Sequence, residues 1–127
     1  MAEAVLDASA LLAFLRNEPG AEEVAAVLKL SCISAVNLAE TISKMVEYGK
    51  PLNDVAFQIE RLRIPVIPFD AEHAKLVASL WKATRVVGLS LGDRACLALG
   101  LKTGLPVLTT DRAWANIKIG VSVGVIR

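Results

Sequence analysis

Short apolar runs alternate with helical patterns along the whole chain, and that rhythm restricts it to parallel strands joined by helices. The first run, Ala4-Val5-Leu6, stops at Asp7 ahead of a helical stretch over 9–16, and Pro19-Gly20 separates this from a second helix over 21–28. A strand at 31–33 follows. Ser34 then caps a helix whose Ala35, Leu38, Ala39, Ile42, Met45 and Val46 fall at i, i+3, i+4, i+7 spacing until Gly49 ends it. Pro51 opens the next helix, which runs to 63, and Val66-Ile67 lies between Pro65 and Pro68 as a short strand. Asp70 caps a helix reaching Thr84 with Ala74, Val77, Ala78 and Trp81 inward. Ser90-Leu91-Gly92-Asp93 opens a helix reading Ala95-Cys96-Leu97-Ala98-Leu99, apolar on every side, which places it in the middle of the molecule. Gly104 stops it, Pro106 starts a strand through Thr110, a short helical turn occupies 112–115, and 121–126 closes the chain as a strand. The expected architecture is α/β: a three-layer α/β/α sandwich around a mostly parallel sheet of four to five strands.

The 127 residues make one domain, 1–127, with no linker, internal repeat or low-complexity tract. Hydrophobic residues are 54% of the chain, yet no run approaches the roughly 18 apolar residues needed to span a bilayer. Met1-Ala2-Glu3 carries no basic leader, and Asp7 interrupts the first apolar run, so a soluble, cytoplasmic protein without a membrane role is expected. Cys32 and Cys96 stand in apolar segments with neither CxxC spacing nor metal-ligand neighbours, which makes them core thiols. Net charge is +1 and the cations are dispersed, so any nucleic acid is not held by bulk charge. The apolar excess over a small surface points to a covered face, hence a homodimer or a bound partner.

Four carboxylates concentrate the chemical interest. Asp7 and Asp111 each end an apolar strand, at the carboxyl edge of the expected sheet, where α/β folds bind ligands. Asp93 stands at the mouth of the buried helix. Singly, each acid has an ordinary explanation: Asp7 and Asp111 as helix caps, Ser90-x-x-Asp93 as a capping box, and Glu40 as an exposed partner of Lys44 on the side bearing Asn37, away from Leu38 and Ile42. Gathered at one rim they would repel. At ~4 Å and an effective dielectric near 20 each pair costs on the order of 4 kcal/mol, so the cluster needs protons or a cation.

Their local texts are Val5-Leu6-Asp7-Ala8-Ser9, Ser34-x-x-Asn37-Leu38-Ala39-Glu40, Leu89-Ser90-Leu91-Gly92-Asp93 and Val107-Leu108-Thr109-Thr110-Asp111. In that order, over essentially the whole chain, the sequence resembles the PIN-domain nucleases. More narrowly it is similar to the VapC-type toxins of toxin–antitoxin pairs, with their hydrophobic-Asp-x-Ser, N-x-x-E, Asp before a Leu-Ala helix, and T-x-D. The resemblance implies a strand order of 3-2-1-4-5 and an acidic site of Asp7, Glu40, Asp93 and Asp111. In it, Asp7 and Asp93 contact the metal, Asp111 does so directly or through water, and Glu40 positions or deprotonates the attacking water. Ser9, Asn37 and Thr110 are implied as supporting polar groups. RNA as substrate and a cognate antitoxin, inhibiting through a basic side chain placed in the acidic pocket, are implied as partners. Two departures are small: Gly92 stands where Ala is as common, and Arg94 follows the third acid where small residues are usual.

An all-oxygen site without His or Cys selects a hard cation, so Mg²⁺, with Mn²⁺ able to substitute, is the expected cofactor of a hydrolytic ribonuclease. His73, between Glu72 and Ala74, reads as a surface residue. Arg94 and Arg112, each beside an acid, are candidates either for phosphate contacts or for surface ion pairs. A receiver-like phospho-acceptor fits poorly, because Asp7 stands alone after the first strand, and an aspartyl phosphatase would need a second Asp where Ser9 stands. A PIN domain acting as a binding scaffold is the remaining alternative.

Overall fold

A computed structural model describes residues 2–127. Five strands, β1 (Ala4–Leu6), β2 (Ser31–Ser34), β3 (Val66–Ile67), β4 (Val107–Thr109) and β5 (Val123–Val125), form one all-parallel sheet in the order β3-β2-β1-β4-β5. That is the expected order, with β1 at its centre. Strand order reverses at β1 and β4, creating the crevice beyond the carboxyl ends of neighbouring strands in which α/β proteins place their sites.

The helices are α1 (Ala8–Leu15), α2 (Ala21–Val27), α3 (Ala35–Glu47), α4 (Leu52–Glu60), α5 (Ala71–Ser79), α6 (Trp81–Thr84) and α7 (Leu91–Thr103). Strand pleating sorts the core between two faces. Val5, Cys32 and Val107 pack with Ala95–Leu99 of α7, Val77, Leu80 and Trp114 on one side. Leu6 and Ile33 pack with Ala10, Leu11 and Val24 on the other, so α1 and α2 cover the opposite face. The result is the expected α/β sandwich, with α7 buried from Ala95 to Gly100. Gly100 is required there, because an added Cβ would lie 2.7 Å from Cγ1 of Val107. Met45, Val55 and Ile59 make a third, smaller core between α3 and α4. Both cysteines are free and buried. No helix among the described residues is long and apolar enough to cross a membrane.

Several expectations are corrected. The inward face of α5 carries His73, Leu76, Val77 and Leu80, whereas Ala74, Ala78 and Trp81 are exposed. His73 is therefore a core residue, not a surface one. Its Nε2 lies 2.9 Å from the Ala95 carbonyl and, since a carbonyl only accepts, carries the proton. The Phe69 ring covers the imidazole at 4.7 Å. Arg94 answers from α7, its Nη1 donating to the Val77 carbonyl at 3.1 Å, so the two helices grip each other's backbone reciprocally. The helix expected to run to Thr84 is interrupted at Leu80, and Trp81 beyond the break lies outside, 51% exposed, under the Arg85 guanidinium. On α3, Ala39 and Val46 are exposed while Asn37 and Thr41 are buried. Asn37 faces inward because its amide donates to the Gly92 carbonyl of α7, and the Thr41 hydroxyl is satisfied by the Asn37 carbonyl one turn earlier in α3. The last strand is shorter than 121–126.

Candidate active site

The loops after β1 and β4 meet at the strand-order reversal and are tied by side chains. Asp7 N-caps α1, its Oδ1 accepting from the Ala10 N–H at 2.8 Å and the Ser9 hydroxyl at 2.7 Å. Its Oδ2 accepts from the Thr109 hydroxyl at 2.6 Å. Ser9 in turn accepts the Thr110 N–H at 2.9 Å, and Thr109 accepts the Asp111 N–H at 3.1 Å. The position of Asp7 thus specifies that of Asp111, over a hundred residues away. Asp111 caps the following 3-10 turn through Ala113 at 3.0 Å.

Asp93 enters from the start of α7. Its N–H donates to Ser90 Oγ at 3.1 Å and its Oδ2 accepts from the Ser90 N–H at 3.0 Å, a reciprocal capping box. The acid that completes the capping box and the candidate ligand are therefore one residue. Glu40 is brought to the same place by Asn37, whose Nδ2 donates to Glu40 Oε1 and to the Gly92 carbonyl, both at 2.9 Å. Two acceptors that cannot donate settle the orientation of that amide. Asn37 Oδ1 is buried and unpartnered. The Glu40 carboxylate lies against Gly92 so closely that an added Cβ would collide with all three of its carboxylate atoms. Lys44, the expected partner of Glu40, pairs instead with Glu47 at 3.3 Å.

Asp7, Glu40, Asp93 and Asp111 line one pocket of about 350 Å³ together with Ser9, Asn37 and Thr110. Arg94 and Arg112 are not in its lining: Arg94 holds α5, and Arg112 Nε donates to the Arg127 carbonyl at 3.2 Å. Burial lifts the Asp7 carboxyl from 3.8 to about 6, against three hydrogen bonds that favour its charge, and the charge of Asp93 adds to the rise. Burial also raises Glu40, with Asn37 opposing and Asp93 reinforcing. A pocket that disfavours its own negative charge and is lined by oxygen donors suits a hard divalent cation. Among the described residues no three or more His, Cys, Asp or Glu side chains are already gathered closely enough to hold a metal ion together.

The profile of the PIN domain matches residues 4–120. The chain belongs to the PIN domain family. No curated protein matches it. Among solved structures, this PIN domain is similar to the DNA-bound VapBC of Salmonella typhimurium at 19% identity and TM-score 0.75, covering 98% of both chains. It is also similar to a toxin–antitoxin complex from Klebsiella pneumoniae, at 19% identity and TM-score 0.74, covering 94% of this chain and 95% of that one. FitAcB from Neisseria gonorrhoeae matches at 23% identity and TM-score 0.67, again covering 94% and 95%.

The sequence reading missed the roles of two residues that support the PIN domain's pocket and of one that lines it. Thr109 is the hydroxyl that holds Asp7, and its position two before Asp111 in the T-x-D text was the available signal. Gly92 is the space that Glu40 occupies, and nothing local in the sequence reports it. Lys44 is the cation of the lining, hidden by its apparent pairing with Glu40.

Proposed function

We propose that this PIN domain is a metal-dependent endoribonuclease that hydrolyses RNA phosphodiester bonds, and that it is the toxin of a toxin–antitoxin pair. The carrying observation is the convergence of four carboxylates, from four separate segments, on one pocket at the carboxyl edge of the sheet. Asp7 and Asp93 would hold a Mg²⁺ or Mn²⁺ ion, with Asp111 joining directly or through water. When bound, such an ion lowers the pKa of a water and neutralises charge gathering on the phosphate. Glu40 takes the proton of the attacking water; its raised affinity for protons suits that role. Asn37 keeps the Glu40 carboxylate in place, and Ser9 and Thr110 bridge the loops that carry Asp7 and Asp111.

The toxin reading draws on the structural neighbours, VapBC, FitAcB and a toxin–antitoxin complex. A cognate antitoxin would inhibit by placing a basic side chain among these acids. A homodimer or a bound partner remains part of this reading on the apolar excess of the composition, 54% of the chain.

The test is cleavage of structured and single-stranded RNAs by antitoxin-free protein in Mg²⁺ or Mn²⁺, with a chelator control and Asp93→Asn. Cleavage abolished by both controls is expected. Metal binding without turnover on any RNA would instead favour a binding scaffold.

A further inference from the structure

Helices α1 and α3 both start at the carboxyl edge of the sheet, directly after β1 and β2, and pack against one another. The acidic pocket follows them outward, its lining reaching Leu12 on α1 and Lys44 on α3. One turn further along each helix, Arg16 and Tyr48 meet, with the guanidinium carbon 3.8 Å from the ring centroid. Steps of three and four residues keep side chains in a row on a helix, so Ser9, Leu12 and Arg16 form one bank and Glu40, Lys44 and Tyr48 the other. Among the described residues Lys44 is the only cation in a lining that holds four acids.

Apart from the Arg16–Tyr48 stacking, both cations are held only in exposed ion pairs. Lys44 pairs with Glu47 at 3.3 Å and Arg16 with Glu18 at 3.2 Å, and all four side chains are 33–67% exposed. Such exposed pairs are weak, and a phosphate can displace the carboxylate. Tyr48 is 47% exposed, so the stacked pair offers a cation–aromatic platform to solvent. Phosphate contact followed by aromatic stacking is how proteins hold unpaired strands, whose bases are free to stack.

We propose that the groove between α1 and α3 is the path of the RNA strand leaving the acidic pocket, with Lys44 holding a phosphate and the Arg16–Tyr48 pair stacking a base. This rests on the nuclease reading, because a polyanion crossing the acids is what the groove would serve. It also supplies the cation contact that Arg94 and Arg112 do not, since neither lines the pocket.

The test is the affinity of the full chain for a short, fluorescently labelled, mixed-sequence single-stranded RNA, titrated over salt concentration in the Asp93→Asn background to prevent turnover. Lys44→Ala is expected to weaken binding and to lower the salt slope by about 0.7, the share of one phosphate contact on a single strand, with Lys44→Arg restoring it. Tyr48→Ala is expected to weaken binding about 5-fold or more, with Tyr48→Phe close to the parent. Lys75→Ala, an exposed cation on α5, controls for net charge. In the cleaving protein the same changes act mainly through KM. Affinity and slope unchanged in both Lys44→Ala and Tyr48→Ala would overturn the path. Cleavage by the parent protein with unchanged variants would leave the nuclease standing without it. Groove-dependent binding with no cleavage would keep the path and remove the nuclease, and an absence of both would remove both.

Discussion

Thr109 Oγ1 stands 2.6 Å from Oδ2 of Asp7, so the last residue of β4 holds the first acid of the pocket in place. Thr109 is fully buried and Asp7 is 4% exposed, and this bond helps to compensate a carboxylate removed from water. Replacing Thr109 with Val keeps the shape and deletes the donor. A loss of about 1.5–3 kcal/mol of folding stability is expected, as for other bonds to charged groups, together with reduced metal affinity. Chemical denaturation and metal titration of Thr109→Val check both.

The Asp7 carboxyl rises from 3.8 to about 6 on folding. A raised acid binds its proton more tightly folded than unfolded, so stability falls as pH climbs from about 4 to about 6. The loss by pH 7 is on the order of 3 kcal/mol in metal-free protein. Asp7→Asn, still a competent cap, should flatten that window and raise Tm at neutral pH. Divalent cations should restore stability to the parent protein and not to the variant. Thermal denaturation at pH 4, 6 and 7, with and without Mg²⁺, measures this; a metal-free pH dependence that is the same in the parent and in Asp7→Asn would contradict it.

Glu40 occupies the space beside Gly92, so Gly92→Ala must displace it. Alanine in a helix should otherwise stabilise α7 by up to about 1 kcal/mol. The expected pattern is impaired RNA cleavage from steric displacement, and near-complete non-additivity when Gly92→Ala is combined with Glu40→Ala. Fully additive effects on cleavage would place Glu40 and Gly92 in separate roles.

Asp93 combines capping and candidate ligation. Asn at this position retains an oxygen to accept from the Ser90 N–H, so Asp93→Asn should change stability by less than about 1 kcal/mol while abolishing metal-dependent cleavage. Calorimetry beside a cleavage assay separates the two.

The reciprocal hold between α5 and α7 makes Arg94 a structural residue. Arg94→Met should lower Tm and leave the salt dependence of RNA binding unchanged. A reduced salt slope would return Arg94 to the phosphate contacts.

The strands and the four acids were legible because they are written locally, whereas the order of the strands in the sheet, β3-β2-β1-β4-β5, came only from the family resemblance. Each strand is a short apolar run, and three acids sit where a helix start also needs a cap. Capping and site-building proved not to be competing explanations, since Asp7, Asp93 and Asp111 do the first while lining the pocket. The helix faces were less legible. Apolar periodicity marks the stripe that meets apolar surface, whereas Asn37, Thr41 and His73 are inward because they meet hydrogen-bonding groups of the backbone. Gly92 was opaque for a related reason: its neighbour Glu40 is remote in sequence, and only the assembled helices bring the two into contact.

The central place of β1 has a consequence for how the protein is made. A ribosome that has released everything through α7 has already exposed Asp7, Glu40 and Asp93, yet one edge of β1 remains bare because β4 has still to emerge. Thr109 and Asp111 arrive together with that strand, and with them the second anchor of Asp7 and the last wall of the pocket. The nascent chain is therefore without a complete pocket until β4 has emerged, long after the first three acids, so the order of translation itself delays assembly of the acidic cluster.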